Sequence, residues 1–226
     1  MPRLVEQPFV VFDIETTGHG PSAKHAVVEI GAVRIVNGIV REKFETMVNP
    51  GREIPNYVSR LHGITDSMVE NAPEIETTLL GTGGFLDFIG ADPLIAHNAP
   101  FDMRFINAAA VQLTGEKIPN TVIDTLKLAR KCLPELPNHQ LETVAGHFNI
   151  HFPAHTAMGD ALMAAGVFTE CLLMDLGAGV SDVEEFCKKY KFGYRNFATL
   201  HTMDLFKDRP DFKPYRRVDY FDPETE

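Results

Sequence analysis

The sequence contains few cysteines and no pattern that would pair them. Its three cysteines, Cys132, Cys171 and Cys187, are an odd number, and none belongs to a C-x-x-C motif. Disulfide frameworks use even numbers of cysteines, and thiolate zinc sites use closely spaced pairs. The cysteines therefore argue against both kinds of site and predict free, buried thiols in a reducing compartment.

The chain also lacks an apolar segment at its N-terminus and an excess of positive charge. The opening residues, Met-Pro-Arg-Leu-Val-Glu-Gln, contain no signal-peptide core, and no uninterrupted apolar run approaches a membrane span in length. With 21 Lys and Arg against 31 Asp and Glu, the formal net charge is −10. This charge argues against nucleic-acid binding through a broad basic surface, but not against an enzyme that handles nucleic acid through bound metal. We expect a cytoplasmic, soluble protein without membrane contact.

What the sequence does contain is a buried strand that ends in two acids. Residues 9–12 are Phe-Val-Val-Phe, and Asp13 and Glu15 follow, two positions apart. Side chains alternate along a strand, so the two carboxylates share one face at a spacing of about 7 Å. Like charges at the end of an apolar run need a cation or a raised pKa, and oxygen ligands suit Mg²⁺ or Mn²⁺. On this stretch alone, two solvated acids explain the pattern equally well.

The order of the predicted elements indicates a mixed sheet covered by helices. Three strands come first and form an antiparallel meander, in which Asn37-Gly38 predicts a type I′ turn. Short strands then alternate with helices, which is typical of an α/β arrangement. The predicted strands are 9–14, 26–36, 39–48, 93–96 and 121–123; the main predicted helices are 55–61, 74–89 with a break at Gly81–Gly84, 100–113, 124–133, 138–148 and 156–175.

Further residues can complete an acidic site. Asp102 lies in the first turn of a predicted helix, where the helix dipole favours an acid. Asp160 lies in the first turn of a later helix that Thr156 is expected to cap, and His155 is on the loop before it. An imidazole on a loop above a helix carboxylate suits a general base, because histidine titrates near neutral pH. Taken singly, these residues are more simply explained as surface or helix-start residues.

Five motifs stand in a fixed order along the chain. They are Asp-Ile-Glu-Thr-Thr-Gly at 13–18, Val-Glu-Ile-Gly-Ala-Val at 28–33, Leu-His-Gly-Ile-Thr at 61–65, Ala-His-Asn-Ala-Pro-Phe-Asp at 96–102 and His-x4-Asp at 155–160. In this order they resemble the DEDDh-type 3′–5′ exonuclease family, most of all the proofreading exonuclease (epsilon) of bacterial DNA polymerase III and its relatives. The resemblance covers about residues 7–175. It implies an α/β, ribonuclease-H-like fold: a five-stranded mixed sheet, with a three-strand antiparallel meander and two parallel strands, flanked by helices.

The resemblance also implies roles for individual residues. The carboxylates that would hold two Mg²⁺ or Mn²⁺ ions are Asp13, Glu15, Asp102 and Asp160, and the general base would be His155. The ions would activate the attacking water and stabilise the leaving 3′ oxygen. The positions at which the family handles or supports the terminal nucleotide are Thr16, His62 and Asn98. The implied activity releases nucleoside 5′-monophosphates from the 3′ end of single-stranded or frayed DNA, in proofreading or repair.

Several alternatives stay open at this point. The motifs do not separate DNA from RNA, so a 3′–5′ exoribonuclease that trims short or structured RNA fits them too. From spacing alone, the ring of His62 is as well explained by core packing as by stacking on a base. His147, His151 and His155 recur with the spacing of helical zinc ligands, although Pro153 interrupts such a helix. A zinc hydrolase and a non-catalytic nucleic-acid-binding module are the remote alternatives.

The C-terminal part of the chain differs in character from the rest. We divide the sequence into an exonuclease domain at 1–176 and an appendage at 177–226, with one helix near 181–190 and an irregular tail. Within the tail, residues 202–206, Thr-Met-Asp-Leu-Phe, resemble the short peptides that insert into bacterial sliding clamps, with Thr202 in place of the usual Gln. A DNA polymerase subunit or a sliding clamp is therefore a candidate partner. Packing of this segment on the domain is the simpler alternative.

Two residues depart from the family pattern beside the key positions. His19 stands where relatives usually have an apolar residue, and Thr156 replaces the usual Arg after the catalytic His. Neither departure touches the five key residues. His19 leaves the preferred kind of 3′ end open.

Overall fold

The structure is a computed structural model, and it describes residues 6–20, 25–176 and 183–193. Its strands are β1 (Phe9–Thr16), β2 (Val27–Val36), β3 (Ile39–Met47), β4 (Leu94–Ala96) and β5 (Val122–Asp124). They form one sheet in the order β3-β2-β1-β4-β5. The β1–β2 and β2–β3 pairs are antiparallel, and the β1–β4 and β4–β5 pairs are parallel. The predicted α/β mixed sheet is therefore confirmed.

Helices flank this sheet along the described part of the chain. They are α1 (Asn56–His62), α2 (Asp66–Val69), α3 (Ile75–Leu80), α4 (Phe85–Ile89), α5 (Pro100–Thr114), α6 (Thr125–Cys132), α7 (Leu141–His147), α8 (Ala157–Leu176) and α9 (Val183–Tyr190). The glycine-rich break predicted at residues 81–84 separates α3 from α4. The helix predicted at 138–148 begins three residues later, because the Asn138 carboxamide accepts the Gln140 amide in a local turn.

The turn between β2 and β3 has the geometry expected of Asn-Gly. Asn37 and Gly38 both have positive φ, 54° and 72°, as a type I′ turn requires. The flanking residues Val36 and Ile39 then pair directly across the two strands. This turn fixes the register of the meander, and with it the face on which each β2 side chain lies.

The sheet separates two hydrophobic clusters, and alternation along β1 decides which residues enter each. Phe9 and Val11 pack with α6, α7 and α8, whereas Val10, Phe12 and Ile14 pack with α3, α4 and α5. Asp13 and Glu15 continue the row of Phe9 and Val11, so they face the side of the sheet that carries α8. The fold thus directs both carboxylates towards the beginning of that helix.

The long helix α8 lies in the core. Residues 157–175 are long and apolar enough to cross a membrane by length and composition alone, with a mean hydropathy of 1.4. Their buried residues pack against β1, β2 and α6 in the first cluster. Contact with the sheet therefore accounts for the apolar character of this helix.

Part of the predicted appendage packs on the same core. The predicted helix near 181–190 is α9, and its buried residues Val183, Phe186 and Tyr190 belong to the cluster around α8. Cys171 and Cys187 are buried and Cys132 is half-buried, and all three are free, as predicted. The segment 202–206 lies outside the described residues, and the division at residue 176 stays a prediction.

Candidate active site

Three carboxylates meet at the end of β1. Asp13, Glu15 and Asp160 each offer an oxygen atom, and these atoms all lie within 4.8 Å of one another. Two come from neighbouring inward positions of β1, and the third comes from the first turn of α8. Oxygen donors at this spacing can share a divalent cation. We call these three residues the acidic cluster.

A close approach between β2 and α8 brings the third carboxylate to the other two. A Cβ atom built on Gly31 of β2 would lie only 2.3 Å from the backbone of Ala157, the first residue of α8. Only glycine leaves room for this contact, so the helix begins directly against the strand that pairs with β1. The predicted cap is also present, because the Thr156 hydroxyl accepts the Gly159 amide at 3.1 Å.

The acidic cluster carries more negative charge than its surroundings can balance. Burial, together with the charges of Asp160 and Glu29, raises the pKa of Glu15 to about 8. Burial also raises the pKa of Asp160 to about 6, although the nearby His155 opposes this shift. The pKa of Asp13 lies well above its ordinary value, because of burial and then the charges of Asp102 and Asp160. A bound cation would relieve this repulsion, so the donor set and its electrostatics fit a divalent metal.

Asp102 lies next to the acidic cluster but does not belong to the group within 4.8 Å. It is buried in the first turn of α5, and burial raises the pKa of its carboxyl group. The backbone amides of Asp102 itself and of Ile14 act in the opposite direction and favour the charged form. Its charge contributes to the raised pKa of Asp13. The structure thus brings all four predicted carboxylates together, three closely and one beside them.

His155 stands on the loop immediately before α8, as predicted. Its φ angle is +59°, a left-handed conformation that non-glycine residues adopt rarely and that recurs at functional sites. The ring Nε2 lies 3.4 Å from Oε1 of Glu142 on α7, and both side chains are half exposed. The ring is therefore accessible to solvent and has a carboxylate that can orient it. Glu142 could not be recognised from the sequence, because only the packing of α7 against α8 brings it to His155.

Glu29 is a buried acid behind the acidic cluster. It pairs with Glu15 across β1 and β2, only 5% of it is exposed, and its Oε2 accepts the backbone amide of Ala157 at 2.9 Å. The first amides of a helix have no partner within the helix, so this carboxylate holds the start of α8 on the sheet. The sequence contained a signal for it, since a lone acid within a predicted buried strand needs a partner.

Replacing Glu29 by Ala should therefore destabilise the protein. The Ala157 amide would lose its buried acceptor, which costs about 1–3 kcal/mol, and the melting temperature should fall by about 2–4 °C per kcal/mol. Glu29→Gln is the matched control, because its side-chain carbonyl can still accept the amide while the charge is lost. In thermal denaturation, the melting temperature of the Ala variant should be clearly lower than that of the Gln variant. Equal melting temperatures would mean that the carboxylate does not hold the helix.

The three residues predicted to contact the terminal nucleotide lie at the end of β1, at the end of α1 and just after β4. Thr16 ends β1, is buried, and donates its hydroxyl to the Gly18 carbonyl at 2.7 Å. His62 is also buried, and the backbone of Thr16 lies beside its ring. Asn98 is exposed after β4 with a φ of +62°, and its amide donates to Asp124. These positions stay predictions with respect to substrate.

The ring of His62 has one free buried atom. Burial lowers the pKa of this histidine. Its Nδ1 accepts the Ile64 amide at 3.0 Å, whereas its Nε2 is buried without a hydrogen-bond partner in the described part of the chain. The helix predicted at 55–61 is shifted by one residue in the structure, so that His62 is the last residue of α1.

The histidine repeat does not form a metal site. His147 ends α7, and His151 and His155 lie in the extended connection to α8. The three rings therefore do not share a helix face. Among the described residues, the acidic cluster is the only group of three or more His, Cys, Asp or Glu side chains with ligand atoms close enough for one ion.

The chain is similar in sequence to known exonucleases and DNA polymerase III subunits. A family model described as an exonuclease matches residues 10–168, which is more than half of the chain. The DNA polymerase III subunit epsilon of Aquifex aeolicus is 38% identical over 171 residues, which cover 75% of this chain and 83% of that protein. A PolC-type DNA polymerase III from Caldanaerobacter subterraneus subsp. tengcongensis is 38% identical over 209 residues, or 91% of this chain. The chain spans only 15% of the length of that polymerase.

Solved structures share the fold at low sequence identity. Exonuclease X, in complex with 5′ overhanging duplex DNA, superposes with a TM-score of 0.63 at 23% identity, covering 80% of this chain and 99% of that one. Exonuclease I of E. coli, in complex with an oligonucleotide, gives a TM-score of 0.64 at 18% identity, with 76% of this chain and 41% of that one covered. The family match and the similarity to a DNA polymerase III epsilon subunit show that the chain belongs to the DEDDh-type 3′–5′ exonuclease family.

Proposed function

We propose that this protein is a 3′–5′ exonuclease that releases nucleoside 5′-monophosphates from the 3′ end of DNA. The observation that carries the proposal is the acidic cluster, in which acids from β1 and α8 meet within 4.8 Å beside a solvent-accessible histidine. Membership of an exonuclease family and similarity to polymerase III epsilon also support the removal of nucleotides from the 3′ end. Proofreading or repair is the role that fits these relatives.

The proposed cofactor is a pair of Mg²⁺ or Mn²⁺ ions. Their ligands would be the acidic cluster together with Asp102, all of them hard oxygen donors of the kind these ions prefer. When bound, such ions neutralise charge on the phosphate and make water a better nucleophile. The raised pKa values of Asp13 and Glu15 support this assignment, because these groups are poorly stabilised as carboxylates without a cation.

The residues around the metal ligands have distinct proposed roles. His155 removes a proton from the attacking water, and Glu142 orients its ring. Thr16, His62 and Asn98 support the terminal nucleotide; the free Nε2 of His62 is one atom that a bound ligand could satisfy. A polymerase or sliding-clamp partner stays a proposal for the segment 202–206, supported by the kinship to polymerase III epsilon.

The direct test uses a single-stranded DNA oligonucleotide labelled at its 5′ end. With Mg²⁺ or Mn²⁺ the label should move through a ladder of products shortened from the 3′ end one nucleotide at a time, with release of 5′-monophosphates. Chelation should stop the reaction and either ion should restore it. An RNA strand of the same sequence tests the exoribonuclease alternative, which a faster rate on RNA would favour. Internal cuts, or no hydrolysis with either ion, would contradict the proposal.

A further inference from the structure

A cavity of about 520 Å³ opens beside the proposed catalytic histidine. Its lining includes His155, Glu142 and Asp160, together with Leu126 and Arg130 of α6 and with Asn138 and Gln140 of the connection to α7. Asn98 also lines it, whereas Thr16 and His62 do not. The cavity therefore reaches the acidic cluster at Asp160.

Hydrogen bonds fix the wall formed by the connection to α7. The Nε2 of His97 lies 2.9 Å from the His139 carbonyl, and its Nδ1 lies 2.9 Å from the Thr125 hydroxyl. The His139 ring in turn bonds the Leu133 carbonyl at 2.9 Å. Burial lowers the pKa of His97, so its neutral ring donates to the carbonyl and accepts from the hydroxyl. This wall is thus held in place before any ligand binds.

The helix that lines the cavity carries only positive charge. α6 contains Lys127, Arg130 and Lys131 and no acid, in a chain whose formal net charge is −10. Arg130 is exposed at the cavity, and within the described residues no carboxylate forms an ion pair with it. We call these three side chains the basic face of α6.

Neutral groups hold the two lysines of the basic face. Lys127 donates to the Lys191 carbonyl at 2.7 Å, and its ammonium lies 4.9 Å from the centre of the Phe192 ring. The ammonium of Lys131 lies 5.3 Å from the centre of the Tyr190 ring. A carbonyl and aromatic rings position a cation without cancelling its charge. The two lysines therefore keep their positive charge on the same helix as Arg130, which is the member of the basic face that lines the cavity.

We propose that the cavity and the basic face of α6 bind backbone phosphates of the substrate strand on the 5′ side of the scissile bond. This inference rests on the proposed exonuclease function. Of the residues assigned to the terminal nucleotide, Asn98 lines the cavity and Thr16 and His62 do not, so the remaining lining is left for the strand that remains after cleavage. A guanidinium beside carboxamide donors matches a phosphodiester, which arginine can bind with two parallel hydrogen bonds.

The test compares two substrates that differ in the length of the strand. One is a single-stranded oligonucleotide, and the other is the p-nitrophenyl ester of thymidine 5′-monophosphate, which has no nucleotide upstream of the scissile bond. Arg130→Gln should raise KM for the oligonucleotide about tenfold more than KM for the ester, as expected for the loss of one charge-assisted contact. The slope of log(kcat/KM) for the oligonucleotide against log[salt] should also become shallower by about 0.7.

Lys117→Gln is the matched control, because it removes one exposed positive charge from the loop between α5 and β5. Equal KM ratios for the Arg130 and Lys117 variants would overturn the proposal. Fluorescence anisotropy of the oligonucleotide in Ca²⁺ measures binding without relying on cleavage, and Arg130→Gln should weaken it about tenfold. If the parent protein hydrolyses neither substrate, the proposed function fails, and the anisotropy comparison still decides whether Arg130 holds the strand.

Discussion

Asp13→Asn is expected to reduce kcat/KM for DNA hydrolysis by at least about 10³-fold while the protein still folds. Metal ions in such sites supply several kcal/mol of stabilisation to the transition state, and about 1.4 kcal/mol corresponds to a factor of ten. Asn keeps the shape of the side chain but removes the charge that a divalent ion requires. Activity close to that of the parent would contradict the metal site and leave a non-catalytic or differently organised protein as the better reading.

The same substitution should stabilise the protein when metal is absent. Burial and the charges of Asp102 and Asp160 raise the pKa of Asp13, so its carboxylate form is unfavourable in the folded state. Asn removes this unfavourable charge. A gain of 1 kcal/mol in the free energy of unfolding raises the melting temperature of a protein of this size by about 2–4 °C. Replacing a functional acid should lower the activity and raise the melting temperature, whereas replacing a structural acid should lower the melting temperature.

The acidic cluster also determines how metal-free stability depends on pH. A carboxyl group with a raised pKa binds more protons in the folded than in the unfolded state, so the free energy of unfolding falls as pH rises between the two pKa values. For Glu15 that window runs from the ordinary value of 4.5 to about 8. The metal-free parent should therefore melt at lower temperature near the upper end of this window than near its lower end. Asp13→Asn should flatten this dependence.

The effect of Mn²⁺ on the melting temperature tests whether Asp13 is a metal ligand. Adding Mn²⁺ should raise the melting temperature of the parent, because a ligand that binds only the folded state stabilises it, and this shift should shrink in Asp13→Asn. Glu76→Gln removes an exposed acid from α3, far along the chain from the cluster, and should change neither activity nor the Mn²⁺ shift. A loss of activity in Asp13→Asn with an unchanged Mn²⁺ shift would argue against Asp13 as a ligand.

The sequence predicted the parts of the fold that local patterns determine. The Asn37-Gly38 turn, the break at Gly81–Gly84 and the cap at Thr156 depend on residues close together in the chain, and the structure has all three. Alternation along β1 likewise placed Asp13 and Glu15 on one face, and the family resemblance supplied the acid from α8. These features follow from backbone preferences that hold in most contexts.

What the sequence did not predict depends on packing between distant segments. Glu29 binds the start of α8 only because Gly31 lets that helix approach β2. Glu142 meets His155 only because α7 packs against α8, and Arg130 lines the cavity beside the connection to α7, which a hydrogen bond from His97 to the His139 carbonyl holds in place. Spacing along the chain carries no information about such contacts. The partner of Glu29 and the roles of Glu142 and Arg130 were therefore visible only in the folded structure.

His155→Asn is expected to lower kcat by about 10²–10⁴-fold, the usual contribution of a general base. Asn is the appropriate replacement because position 155 has a φ of +59°, which asparagine tolerates better than most residues. The substitution therefore removes the imidazole without adding backbone strain. In contrast to Asp13→Asn, this variant should keep the full Mn²⁺-induced rise in melting temperature, since the ring is not among the proposed ligands.

His151→Asn provides the control for the loss of the ring. His151 is exposed in the same connection between α7 and α8, four residues before His155. If His155 acts as the base, the variant at 151 keeps the activity of the parent, whereas a zinc site built on the histidine repeat would lose activity in both variants. Glu142→Gln should then reduce kcat less than His155→Asn and leave KM near the parent value, because Glu142 only orients the ring. Full activity in His155→Asn would assign the proton transfer to another group, and the accessible histidine above the acidic cluster would have no part in the chemistry.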